Sequence, residues 1–225
     1  MAARHGLGND SGAALFALLD ALSIEEDPPT TVTRPLEALD VHLADGLSGL
    51  AIDRLATACT IADVGAGAGF PGLALAAALP GASVDLIEAT SRKCGVIRRL
   101  GEAAGLSNVR ALPARAEEWA AGEGAGAYDA VTARAVAPLA VLVEYAAPLL
   151  REAGVLVAWK GKRDENEERA GADAAAIVGL AGKEVRRVTP FLAARDRHLH
   201  VFCKVAPTPE RFPRRAGMAR KRPLA

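Results

Sequence analysis

The chain lacks the residues that would staple a small extracellular fold. Its three cysteines, Cys59, Cys94 and Cys203, are far apart and never form a C-x-x-C pair, so neither a disulfide framework nor a zinc knuckle is indicated. A reduced, cytoplasmic setting is the expectation. Aromatic residues make up only 4%, so Ala and Gly must fill the space between elements. Net charge is missing too, since 27 basic residues balance 27 acidic ones, which removes any global sign of nucleic-acid or membrane binding. The one long uncharged run, Val64 to Val84, has the length of a bilayer span, but five glycines and two prolines divide it into strand, loop, helix and turn. No secretory-type segment opens the chain, and Asp20 interrupts the first apolar run. No membrane association is expected.

What is present suits a soluble domain. The chain has 225 residues, 51% hydrophobic and 24% charged, enough to bury an independent core. Its charge is unevenly distributed. From Glu210 onward, six cations (Arg211, Arg214, Arg215, Arg220, Lys221, Arg222) face Glu210 alone, a local +5 that leaves −5 on residues 1–209.

Leu15, Leu18, Leu19 and Leu22 recur at helical spacing between Asp10 and Ile24, with Asp10 or Ser11 available as an N-cap. Pro35 can open a second helix with Leu36, Leu39 and Leu43 as its stripe. Together these form an N-terminal helical extension, residues 1–58. From Thr60 the rhythm changes to short apolar runs at Thr60–Val64, Ser83–Glu88, Asn108–Leu112, Tyr128–Ala133 and Val155–Lys160. Helical stretches separate them at Gly72–Leu79, Ser91–Ala104, Pro138–Leu150 and Asp164–Leu180. That alternation predicts a parallel sheet. Lys183–Leu192 and Arg197–Val205 are joined by a turn too short for a crossover helix, so they should form an antiparallel hairpin. Alternation along the second of these puts His198, His200, Phe202 and Lys204 on one face, and Leu199, Val201 and Cys203, the expected core set, on the other. Five parallel strands closing in a hairpin are the plan of class I methyltransferases, a Rossmann-like α/β fold with a mainly parallel seven-stranded sheet, here over residues 59–205. The Pro-rich basic tail, 206–225, has the composition of a flexible end.

The central motif is Asp63-Val64-Gly65-Ala66-Gly67-Ala68-Gly69-Phe70-Pro71-Gly72, directly after the first strand. Glycines there let the backbone turn tightly and approach a ligand at the carboxyl edge of the sheet. Phe70 stands where a dinucleotide fingerprint needs glycine, so G-x-G-x-G with a preceding acid instead resembles the loop that holds S-adenosylmethionine. The second strand ends in Glu88, where a carboxylate can accept both hydroxyls of an adenosine ribose. Ala116 and Glu117, after the third strand, can meet the adenine edge, or Glu117 and Glu118 can simply decorate a solvated helix start. Arg134, just past the fourth strand, either faces the reacting pocket or forms a surface ion pair.

Two chemistries lack their residues. After the fourth strand the chain reads Thr132-Ala133-Arg134-Ala135-Val136-Ala137-Pro138, without the Asn/Asp-Pro-Pro-aromatic run of enzymes acting on exocyclic amines. No cysteine lies between Cys94 and Cys203 to attack a pyrimidine ring. Guanine N7 needs neither, because its in-plane lone pair is already nucleophilic and in-line transfer requires no general base. Positioning alone can supply about 7–11 kcal/mol. A noncatalytic binding module would show the same lack of catalytic groups.

Several segments in order carry a resemblance: IADVGAGAGFPGLALA, LIEATSRKCGVIRRL, RAEEWA, YDAVTARAVAPL, VAWKGK, RHLHVFCKV and the tail ERFPRRAGMARKRPL. The chain resembles the bacterial ribosomal RNA small-subunit methyltransferase G family, once called glucose-inhibited division protein B. The resemblance implies a cytoplasmic enzyme that moves a methyl group from S-adenosylmethionine to N7 of one guanine in 16S ribosomal RNA. It implies cofactor contacts at Gly65, Phe70, Ala116, Glu117 and Arg134. The family's Asn-Leu-Thr and Leu-Gly-Lys-Arg runs stand here as Thr31-Val32-Thr33 and Thr90-Ser91-Arg92-Lys93.

An RNA or ribosomal-subunit partner needs cations for its phosphates. The candidates are Arg92, Lys93, Lys160, Arg197, His198 and the tail, with Lys160 also a positioning residue beside the cofactor pocket. His198 and His200 have ligand-like spacing but no third ligand nearby, so no metal is expected. A monomer is the default. A small-molecule methyltransferase and a noncatalytic RNA- or ribosome-binding module are the alternatives.

Overall fold

The computed structural model describes residues 5–225; the first four residues of the N-terminal extension lie outside the described residues. Helix α1 (Asn9–Ile24) buries Leu15, Leu18, Leu19 and Leu22, the stripe its spacing predicts. Gly8, not Asp10 or Ser11, holds its N-cap position, without a side-chain cap. Pro35 opens α2 (Pro35–Ala38) at its first turn. A π-helical turn (Leu39–Ala44), α3 (Asp45–Leu47), a 3-10 turn (Ser48–Ala51) and α4 (Asp53–Ala56) complete the extension. Of the expected stripe, Leu43 is buried and Leu39 packs partly buried against the core, but Leu36 is 82% exposed, and His42 and Leu47 join the buried face instead. The wider π turn re-phases the buried face.

Seven strands follow: β1 (Thr60–Val64), β2 (Ser83–Ile87), β3 (Val109–Leu112), β4 (Tyr128–Arg134), β5 (Leu150–Lys160), β6 (Leu180–Val188) and β7 (Arg197–Lys204). They form one sheet in the order β3-β2-β1-β4-β5-β7-β6, parallel except for β7, which runs antiparallel to β5 and β6. Between and after them lie α5 (Gly72–Ala78), α6 (Ser91–Ala103), α7 (Ala116–Ala120), α8 (Leu139–Ala146), α9 (Glu165–Val178) and α10 (Met218–Lys221). Helix α8 ends before the expected Leu150 because Pro148 cannot continue it, and β5 starts there instead.

The sheet is covered on both faces. Alternate residues such as Ile61, Val84 and Leu86 pack with α1, α5 and α6, while Ala62, Val131 and Leu156 pack with α8 and α9. Both faces of β7 are therefore buried, which corrects the expectation of a single core face: His200, Phe202 and Lys204 are as enclosed as Leu199 and Val201. Burial pushes the Lys204 ammonium down to about 8, and it donates to the Ala147 carbonyl and the Thr208 hydroxyl.

The tail is docked rather than the flexible end its composition suggests. Phe212 and Ala219 are buried against the α8 layer. Arg214 makes a two-pronged contact with Glu144, Nε to Oε1 at 2.6 Å and Nη2 to Oε2 at 2.5 Å. The Glu144 side chain is only 2% exposed, and a buried carboxylate of this kind requires a cation. At the other end, Trp159 Nε1 donates to the Asp45 carbonyl at 2.8 Å and lies 3.2 Å from Ser48 Oγ, fastening the N-terminal extension to β5.

Candidate cofactor and substrate site

The strand order reverses at β1, which lies between β2 and β4. In open α/β sheets the cleft at such a switch point, outside the carboxyl ends of the strands, is where ligands bind. A cavity of about 620 Å3 opens there. Gly65, Gly67, Phe70, Glu88, Ala116, Glu117 and Arg134 all line it. They lie at the carboxyl ends of four strands: in the loops after β1 and β2, in the first turn of α7 after β3, and at Arg134, the last residue of β4.

The loop's conformation requires glycine. Gly65 has φ +67°, and a Cβ there would stand 2.8 Å from Val136 Cγ2. Gly67 has φ +59°, and a Cβ there would meet only the Gly65 carbonyl oxygen, at 3.9 Å. Two carboxylates hold the loop. Glu88 accepts from the Gly67 N–H at 3.1 Å and from the Thr90 N–H at 2.9 Å. Asp63 accepts from the Gly72 N–H at 2.9 Å and from the Thr132 hydroxyl at 2.8 Å.

Burial raises the Asp63 carboxyl to about 6, against those two hydrogen bonds, which lower it. Above pH 6 the folded protein carries a disfavoured charge, which disappears as pH falls toward the unfolded value near 3.8. Asp63→Asn keeps an acceptor for Gly72 and offers Thr132 a donor. The variant is therefore expected to be the more stable protein above pH 6, by up to about 3 kcal/mol, with the gap closing toward pH 4. Urea denaturation across that range checks this.

Phe70 stacks on His42, with ring centroids 4.8 Å apart and planes 11° from parallel. His42 Nε2 lies 3.0 Å from the Val32 carbonyl and 3.3 Å from the Thr30 hydroxyl, and Nδ1 lies 3.3 Å from Arg134 Nη2. With Nε2 donating to Val32, the Nδ1 lone pair accepts from Arg134. Burial, and secondly the Arg134 charge, push His42 down to about 4, so the ring is neutral near pH 7. Arg134 also donates to the Val41 carbonyl at 2.6 Å and to Asp45 at 3.0 Å. Its side chain is 15% exposed. The two alternatives for Arg134 thus merge, since it lines the cavity and forms an ion pair that is buried, not superficial.

The tail supplies the remaining wall. The Gly217 N–H donates to Glu117 Oε1 at 2.8 Å. Arg220 lines the cavity and donates to the Val136 carbonyl at 2.9 Å. Glu117 lies in the first turn of α7 and is buried, not solvated. His42, Thr30 and Tyr145 line this cavity without any mark in the sequence, and Arg220 joins them although the sequence offers it only as one of the tail's cations for RNA. None lies near a glycine loop or strand end that would flag it.

The cationic candidates divide. Lys93 reaches the same cavity. Arg92 pairs with Asp27 on the exposed surface. Arg197 Nε lies 3.6 Å from Asp45 Oδ1, and His198 Nδ1 lies 2.9 Å from the Gly161 carbonyl. Lys160 lines a neighbouring cavity, 2.5 Å from Glu167.

The family model for rRNA small subunit methyltransferase G matches residues 29–200. The chain belongs to that family. A relative from Rubrobacter xylanophilus, named ribosomal RNA small subunit methyltransferase G, is 45% identical over 195 residues, covering 84% of this chain and 74% of the relative. One of the same name from Chloroflexus aggregans is 44% identical over 188 residues, covering 81% and 76%. Among solved structures, a SAM-dependent O-methyltransferase from Thermotoga maritima superposes with a TM-score of 0.58 at 15% identity, covering 86% of this chain and 73% of that one. Fibrillarin from Aeropyrum pernix, solved with natively bound S-adenosyl-L-methionine, superposes with a TM-score of 0.55 at 19% identity, covering 71% and 72%. Membership places this chain among methyltransferases of ribosomal RNA, and the structural likenesses establish the class I methyltransferase fold.

Proposed function

We propose that the chain transfers a methyl group from S-adenosyl-L-methionine to N7 of one guanine in 16S ribosomal RNA, in the cytoplasm and as a monomer. The observation that carries this reading is the convergence of residues at four strand ends on one cavity in a chain of this family. The cavity fits the cofactor. Glu88 uses each oxygen once on backbone N–H groups, which leaves lone pairs for ribose hydroxyls. The side-chain-free edge at Gly65 and Gly67 admits the methionine part, and Ala116 and Glu117 border the adenine end. When bound, S-adenosylmethionine supplies an electrophilic methyl group.

The lining favours a nucleophile that needs no activation. Glu88 and Glu117 both brace backbone N–H groups, and Arg134 occupies His42. The carboxylates and the imidazole of the lining thus already have structural partners, and none is dedicated to serve as general base for an amine. Guanine N7 has no proton to remove, and the stacked Phe70–His42 wall excludes water from beside the methyl group. A neutral His42 adds no repulsion to the cofactor's sulfonium. Arg134 and Lys160 position the reactants, while Arg92, Lys93, Arg197 and His198 meet RNA phosphates, so activity falls as salt rises. Among the described residues no helix is long and apolar enough to cross a membrane.

The test is transfer of labelled methyl to small ribosomal subunits and to protein-free 16S RNA, with mapping of 7-methylguanosine. A single modified guanine is expected; no transfer to either, with cofactor binding intact, would move the assignment to a small-molecule substrate. Gly65→Ala adds a Cβ against Val136 at a left-handed position, a strain of about 1–2 kcal/mol before the clash is counted. It should weaken cofactor binding at least about tenfold by calorimetry, with an unchanged far-UV spectrum.

A further inference from the structure

A second cavity, of about 690 Å3, opens beside the first, and the two share Ala135 and Val136. Every side chain lining it is apolar except for one pair, Lys160 and Glu167. Lys160 ends β5 and Glu167 sits in the first turn of α9. Lys160 Nζ lies 2.5 Å from Glu167 Oε1, with the two side chains 21% and 27% exposed. The same Oε1 accepts from the Leu139 N–H at 2.9 Å, and Nζ lies 3.4 Å from the Ala137 carbonyl. Glu167 Oε2 makes no hydrogen bond to any described residue.

An ammonium beside a carboxylate on an otherwise apolar wall matches a flat ligand whose edge places a carbonyl oxygen beside N–H donors. Among the RNA bases, guanine has that edge: O6, then N1–H, then the 2-amino group. Adenine and cytosine can offer the pair one ring lone pair and one amino group, but only guanine sets two neighbouring N–H donors, N1–H and the 2-amino group, beside a carbonyl oxygen. Uracil offers one N–H flanked by two oxygens, of which one would meet the carboxylate. Guanine N7 lies across the ring from N1 and the 2-amino group, so a base held by this pair turns N7 away from it.

We propose that this second cavity seats the target guanine. Glu167 accepts from N1–H and the 2-amino group, Lys160 donates to O6, and N7 faces the boundary at Ala135 and Val136 beyond which the methyl donor lies. The base leaves its stack to enter, as bases read by single-strand-specific proteins do. This inference rests on the N7 reading above and adds the recognition of the base.

The test uses 16S RNA carrying a changed base at the mapped position. Inosine lacks the 2-amino group, and 2-aminopurine lacks O6 and the N1 proton. The parent protein should methylate each about 10- to 100-fold less efficiently than guanosine, the size of a lost charge-assisted hydrogen bond. Glu167→Gln keeps an acceptor for Leu139 but turns an amide toward the base. It should lose activity on guanosine to a similar degree and no longer distinguish inosine, with cofactor affinity by calorimetry unchanged. Equal transfer by the parent to guanosine, inosine and 2-aminopurine would overturn the proposal without any variant. So would a Glu167→Gln protein that keeps the parent's preference for guanosine over inosine. A 7-deazaguanine target separates the two layers: methyl transfer to it would overturn the N7 reading itself, whereas none is expected.

Discussion

Arg214→Ala is expected to lower stability by about 3–5 kcal/mol, the usual cost of stranding one member of a buried ion pair. Glu144 would be left at 2% exposure without the guanidinium that satisfies both of its oxygens. The tail would then lose its anchor, including the bond from Arg214 to the Arg222 carbonyl. Because Gly217 and Arg220 reach the cofactor cavity from that tail, cofactor binding should weaken by roughly tenfold, about the worth of one hydrogen bond to a charged group. Urea denaturation reads the first effect and calorimetry the second. Arg214→Lys, which keeps the charge but not the two-pronged geometry, should recover part of each. Unchanged cofactor affinity in a folded Arg214→Ala protein would mean that the tail does not shape the pocket.

Arg134→Ala should cost a similar amount for a related reason. It leaves Asp45, whose side chain is 8% exposed, with Arg197 at 3.6 Å as its remaining cation. It also removes a positive charge from beside His42. That charge, after burial, is what holds the imidazole near 4; without it the His42 titration should move upward, which NMR can follow. Above pH 6.5 the ring is neutral whether folded or unfolded, and below it only the unfolded chain takes the proton readily. Stability is therefore lost as pH falls from 6.5 toward 4. In the variant this loss should be smaller, while cofactor affinity falls at every pH.

The contrast between Gly65 and Arg220 explains what could be read from the sequence. A left-handed loop position beside Val136 needs glycine, so the backbone's demand is written in the residue itself, and the strand periods before and after it are equally local. That is why the sheet, its order of elements and the cavity residues Gly65, Gly67 and Glu88 are legible in the residues themselves, whereas Phe70, Ala116, Glu117 and Arg134 are singled out by the family resemblance. Arg220 carries no comparable mark. It joins the site through the Arg214–Glu144 pair, whose partners are 70 residues apart, and a run of cations looks the same whether solvated or docked. His42 sits in an apolar stripe whose phase a π turn alters, so its approach to Phe70 follows from tertiary packing alone. The Lys160–Glu167 pair is split between a strand end and the helix after it; the strand end marks Lys160, whereas Glu167, one of several acids opening α9, alone reads as surface charge.

The cavity walls include Thr30 near one end of the chain and Arg220 near the other. Contacts so distant in sequence close only after the sheet between them exists, since each long loop costs entropy before its contact repays it. A complete pocket is thus a late product of folding, and a ligand that bridges these segments binds the native chain and hardly any partly folded one. By mass action, cofactor at a hundred times its Kd should add about 2.7 kcal/mol to global stability, and the gain should appear as slower hydrogen exchange at both ends of the chain together.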